Sequence, residues 1–200
     1  MHPAPAFQVR NVEPLLARIA AHPFMTLAAA PGGLPLIAHA PVVIRRLAGG
    51  LALDFHLSRR NALANALESG FHGVLLGLGP DAYVSPDWYE SADQVPTWNY
   101  LSVEAHGTLG PMTEPELVTL LDDLSAVEET RLAPKPVWTR DKMSPGRFEA
   151  MLGGIVGARL TVSKLQGTTK LSQNKTAEDR AGVIAALGDH PIARRMADLP

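Results

Sequence analysis

The chain has 200 residues, 46% of them hydrophobic and 19% charged, which suits a single domain able to bury roughly 70% of its unfolded surface. Cysteine is absent, so disulfides, thiolate metal sites and cysteine nucleophiles are excluded, and a formal charge of -2 gives no general electrostatic reason to expect nucleic acid. The opening Met-His-Pro-Ala-Pro lacks the basic start and apolar core of a signal peptide, and no stretch approaches the ~20 apolar residues of a membrane span. The expectation is a cytoplasmic protein with no membrane partner.

In chain order, Asn11 to His22 predicts a helix: Asn11 can cap it, Pro14 is tolerated in the first turn, and Val12, Leu15, Leu16 and Ile19 recur at helical spacing. Phe24 to Ala30, the turn Pro31-Gly32-Gly33, and Leu36 to Ile44 predict a hairpin. Gly49-Gly50 leads into a third strand, Leu51 to Leu57. Three strands joined by short turns predict an antiparallel meander. A strand-to-helix junction follows at Ser58-Arg59-Arg60-Asn61, with a short helix from Ala62 to Ser69 closed by Gly70. Val74 to Leu78, Trp98 to His106 and Gly107 to Met112 predict further strand, with a bend at Gly107. Thr113-Glu114-Pro115-Glu116 is a capping box that opens a helix to Val127, and Glu128 to Ser144 predicts a loop. A short helix to Leu152, a strand from Ile155 to Leu165, and a helix from Ala177 to Leu187 capped by Thr176 complete the chain. Six or seven strands with four or five peripheral helices fit an α+β antiparallel barrel.

Residues 79 to 100 concentrate Tyr83, Trp88, Tyr89, Trp98 and Tyr100 in a chain with only three tryptophans and three tyrosines. Prolines 80, 86 and 96 hold this stretch out of helix, and it reads as an aromatic core or interface cluster or as a ligand site. Gly77-Leu78-Gly79-Pro80-Asp81-Ala82 matches a dinucleotide fingerprint, but the prolines deny it the helix that fingerprint needs. The seven histidines show no metal-binding spacing, and His39 and His56 are expected as structural strand residues. Ser58, Arg59 and Arg60 place a hydroxyl and two guanidiniums beside a helix start. They read either as a phosphate-monoester site or as a solvated basic turn. The run Gly167 to Lys175 reads as a loop and cap, or as an amide-rich edge able to bond a heteroaromatic ring through Gln173 and Asn174.

Taken together, several stretches resemble the PaiB-like family of FMN-binding negative transcriptional regulators, of the FMN-binding split-barrel type. They are His22-Pro23-Phe24 with Thr26-Leu27, Gly-Pro-x-Ala-Tyr-Val-Ser-Pro-x-Trp-Tyr at 79 to 89, Val95 to Tyr100, Lys170 to Asn174, and Asp179 to Ala185. The resemblance implies a six-stranded split barrel over residues 1–200, with a C-terminal helical extension, that dimerises and binds FMN at the dimer interface. Ser58-Arg59-Arg60 also resembles the Ser-Arg-Lys stretch of pyridoxamine-phosphate oxidases. The implied cofactor residues are Ser58, Arg59 and Arg60 at the phosphate, together with Asn61, and with Trp98, Asn99, Lys170 and Gln173 lining the site. The family pattern also departs here: Ala40 and Val42 replace Leu and Phe, Ala62 replaces Pro, and Thr168-Thr169 replaces Lys-aromatic. These departures bear on flavin retention. A homodimeric flavoprotein regulator is the leading expectation, an FMN-dependent oxidoreductase with no assignable catalytic residue the alternative. Direct DNA contact has little support in an acidic chain without a recognisable helix-turn-helix.

Overall fold

A computed structural model describes residues 2–199. Two interleaved compact units divide the chain. The first comprises the N-terminal residues to Leu15, Leu78–Glu104 and the chain from Gln166 onward; the second comprises Leu16–Gly77 and Ala105–Leu165.

The strands are β1 (Gln8–Val9), β2 (Phe24–Ala29), β3 (Leu36–Pro41), β4 (Val43–Leu47), β5 (Gly50–Ser58), β6 (Phe71–Val84), β7 (Thr97–Pro111) and β8 (Ile155–Lys170). They form one sheet in the order β3-β2-β6-β7-β8-β5-β4, with β1 on β8, making eight strands among the described residues where the sequence pattern gave six or seven and the resemblance six. The helices are α1 (Val12–Ala21), α2 (Glu114–Thr130), α3 (Arg147–Leu152), α4 (Ala177–Leu187) and α5 (Pro191–Ala197). The α+β class and the antiparallel, curled split-barrel sheet agree with the sequence reading.

The predicted meander is corrected. β2 pairs with β3 and β4 pairs with β5, yet β3 and β4 lie at opposite ends of the strand order. The break falls at Pro41-Val42: Pro41 has no N–H to give a ladder, and the Val42 N–H donates to Pro23 O at 3.0 Å instead. One predicted strand therefore becomes two, turned around a corner. β3 also approaches β5 without a ladder between them, so the sheet curls but stays split.

In the second unit, Leu27, Leu53, Phe55, Leu57, Leu75, Ala105, Leu109 and Leu160 are buried, at alternate positions of most strands. Ala40 and Val42 belong to this core as well, so those two departures from the family pattern face inward. α2 opens on the predicted capping box: Glu116 Oε2 accepts from the Thr113 N–H at 2.9 Å, and Pro115 occupies the first turn. An ion network ties the helix to the sheet. Asp54, fully buried on β5, accepts from Arg159 Nε and Nη2 at 2.7 and 2.8 Å and from Arg45 Nε at 3.0 Å. Arg159 Nη1 continues to Glu116 at 2.9 Å. β7 passes Gly107 without interruption; a Cβ there would lie 2.1 Å from Thr161 O, which is why glycine is needed at this close strand approach.

In the first unit, Ala82, Val84, Tyr89, Leu101, Leu171, Val183, Ile192 and Met196 form the core. β6 runs on through Pro80 to Val84, six residues past the expected end at Leu78, so the fingerprint-like glycines lie in extended chain. β8 likewise continues to Lys170, because β1 pairs against Gly167 and Thr168. α5 was not foreseen; His190 Nδ1 caps it by accepting from the Ile192 N–H at 3.2 Å.

Candidate functional site

The Ser58–Asn61 turn lies in the second unit, where β5 ends. It uses its own backbone donors: the Arg60 N–H donates to Ser58 Oγ at 3.3 Å, the Asn61 N–H to Ser58 O at 2.8 Å, and the Leu63 N–H to Asn61 Oδ1 at 3.0 Å. The expected α-helix after it is a six-residue 3-10 turn, Ala64–Ser69. The two arginines divide. Arg59 donates from Nε to Gly153 O at 3.0 Å and from Nη2 to Ile155 O at 2.9 Å, while its N–H reaches Gly154 O at 2.9 Å. Its fork thus clamps the α3–β8 turn rather than standing open. Arg60 is exposed, and among the described residues its guanidinium has no partner. One exposed forked cation and one hydroxyl on the same four-residue turn are donors of the kind a phosphate monoester takes.

The other expected residues fall in the first unit. Trp98 is 54% exposed and meets Tyr83 edge-on, with ring centroids 6.1 Å apart. Lys170 donates from Nζ to Thr97 Oγ1 and lies 5.9 Å from the Phe7 ring centroid; burial, then repulsion from Lys175, lowers its pKa. Asn99 is not a surface residue. It is fully buried, and its Nδ2 donates to Ser172 Oγ at 3.0 Å and Met196 Sδ at 3.4 Å. Gln173 Oε1 accepts from the Leu171 N–H at 2.7 Å, and its Nε2 donates to Ala6 O and Thr169 O at 3.1 and 2.6 Å. Both amides hold the fold, because the turn after β8 leaves the ladder and needs side chains to close it. Thr168 is buried with Oγ1 accepting from the His2 N–H at 3.2 Å, so the lost family lysine is replaced by an anchor for the N-terminal segment.

Within the second unit, a cleft of about 710 Å³ lies beside the turn. His56, Trp138, Phe148, Met151 and Ile155 help line it, and Ile155 is the register partner of Ser58. His56 and Ser58, two apart on β5, present the same sheet face. Burial holds His56 below the usual imidazole pKa, and its Nδ1 is buried with no hydrogen-bond partner. The sequence reading left His56 as a structural strand residue. The i, i+2 spacing to Ser58 was the signal that could have placed it on the sheet face beside the turn.

Comparison with known proteins bears on this arrangement. Residues 1–164 match the model of a family described as "Putative FMN-binding domain". The protease synthase and sporulation protein PAI 2 of Bacillus subtilis is 31% identical over 195 residues, covering 96% of this chain and 93% of that one. Among solved structures, the FAD and heme binding protein from Mycobacterium smegmatis aligns with a TM-score of 0.56 at 19% identity, over 92% of this chain and 81% of that one. The flavocytochrome Anf3 from Azotobacter vinelandii aligns with a TM-score of 0.57 at 18% identity, over 90% and 78%. At those identities the two structures speak to the fold alone.

Proposed function

The chain belongs to the PaiB-like family of FMN-binding split-barrel proteins, and on that premise we propose that it acts in the cytoplasm as an FMN-binding homodimer of regulatory role. The observation that carries the reading is the Ser58–Asn61 turn, where Ser58 Oγ accepts from the Arg60 N–H and the exposed Arg60 guanidinium is unused among the described residues. Arg60 and Ser58 hold the phosphate, Asn61 sets the turn, and Arg59 positions it from behind. Trp98 and Lys170 line the site across a subunit interface. Exposed Phe24 and Ile37 in one unit, and Tyr83 and Trp98 in the other, support self-association, since exposed large apolar side chains in numbers mark interaction surfaces. FMN, when bound, supplies reversible electron transfer, and the protein's part is to bind and orient it.

The test is FMN titration. A charged hydrogen bond contributes about 1.5–3 kcal/mol, so Arg60→Ala should weaken FMN about 10- to 150-fold. Mass in solution checks the dimer. An Arg60→Ala protein with unchanged FMN affinity would overturn the phosphate assignment. Regulation through direct DNA contact requires a promoter shift that weakens steeply with salt. The cleft beside the turn favours a second reading, an FMN-dependent oxidoreductase. Anaerobic bleaching of the bound flavin by nicotinamide cofactors or candidate small molecules checks it, and failure across a broad panel leaves the regulatory reading.

A further inference from the structure

The second unit's cleft has the features of a small-molecule site in its own right. Its volume of about 710 Å³ falls within the range of such sites, roughly 300–1,000 Å³. α2 supplies Leu121 and Ala126, the 137–143 segment supplies Trp138, α3 supplies Phe148, and β5 supplies His56. Its charges are largely spoken for. Arg140 pairs with Asp122 at 3.4 Å and stands 5.0 Å over the Phe148 ring, so its charge is balanced and Asp141 leaves the lining net negative. The polar capacity left for a guest is uncharged: Ser125, Thr139 and the His56 imidazole.

We propose that this cleft binds a small, uncharged, largely apolar ring compound carrying one hydrogen-bonding group, at a place separate from the FMN site. Aromatic walls favour a ring, and the negative remainder disfavours a phosphate or carboxylate in the cleft itself. The inference rests on the cleft and not on the flavin reading. A guest there would lie next to the Ser58 turn, because Ile155, which lines the cleft, is the register partner of Ser58.

The probe is N-phenyl-1-naphthylamine, an uncharged aromatic amine whose emission rises in apolar surroundings. Saturable binding at one probe per chain is expected, with energy transfer from tryptophan that falls in Trp138→Phe and persists in Trp98→Ala. Ala126→Trp, at an exposed α2 position facing the cleft, should weaken the probe by at least about tenfold while the circular dichroism stays unchanged. Should that variant not fold, the Trp138→Phe transfer signal decides alone. Non-saturable binding, energy transfer indifferent to Trp138, or affinity unchanged in a folded Ala126→Trp protein would overturn the proposal. Equilibrium dialysis with saturating FMN separates the two readings: retained probe supports a separate site, and one-for-one displacement makes the cleft the cofactor's own and refutes separation.

Discussion

Asp54→Asn tests how α2 is fastened over the sheet. Asp54 is fully buried and accepts three hydrogen bonds from two arginines at 2.7 to 3.0 Å. Arg159 passes the network on to Glu116 in the α2 capping box. The amide keeps the size of the carboxylate but loses its charge and turns a donor toward a guanidinium. Breaking a buried ion pair by removing one partner costs about 3–5 kcal/mol. Here the arginine side chains keep 24% and 26% of their exposure, so water recovers part of that cost and about 2–3 kcal/mol is expected. For a chain of this size that lowers Tm by about 4–12 °C. Thermal unfolding followed by far-ultraviolet circular dichroism, wild type against variant in one buffer, gives the answer. A loss below about 2 °C would refute the claim that this carboxylate fastens the helix.

Gly107→Ala should be destabilising by about 1–3 kcal/mol or more, because its Cβ would meet the Thr161 carbonyl oxygen, backbone that cannot swing away. Gly110→Ala, with open space around the new Cβ, should leave the denaturant midpoint almost unchanged and serves as its control. His56 stays neutral in the folded chain at a pH where the unfolded chain takes up a proton, near the usual 6.5, so stability falls as pH drops through that value. Histidine ring signals in NMR should give His56 a pKa below 6.5, and a value at or above it would contradict the burial argument. Glu116 is depressed first by the Thr113 backbone N–H, so its contribution is present above pH 4.5 and is lost as pH falls below that value. Glu116→Gln should flatten that acid limb in a pH series of unfolding midpoints.

What the sequence disclosed follows how local each signal was. The capping box at Thr113–Glu116, the Thr176 cap and the Gly70 and Gly188 stops are written within four residues, and each lies where expected. Strand partnership is not local. The hairpin-like spacing from Leu36 to Leu57 carried no sign that β3 and β4 end at opposite edges of the sheet, except Pro41 itself. The site shows the same division. The basic turn was legible from three consecutive residues, but its two arginines look alike in sequence, and only the carbonyls of Gly153 and Ile155, more than ninety residues on, set Arg59 apart from Arg60. Gln173 was expected at a ligand because an amide there suits a heteroaromatic edge, and Asn99 because the family resemblance implied it. Their partners, Ser172, Met196 and Ala6, reach them through chain reversals that no spacing announces.

The visible absorption spectrum of the freshly purified protein, read before and after incubation with FMN and gel filtration, tests the central claim most directly. The account predicts a flavin band that travels with the protein, and a diminished band in Arg60→Ala. A colourless wild-type protein that takes up no added FMN would contradict it.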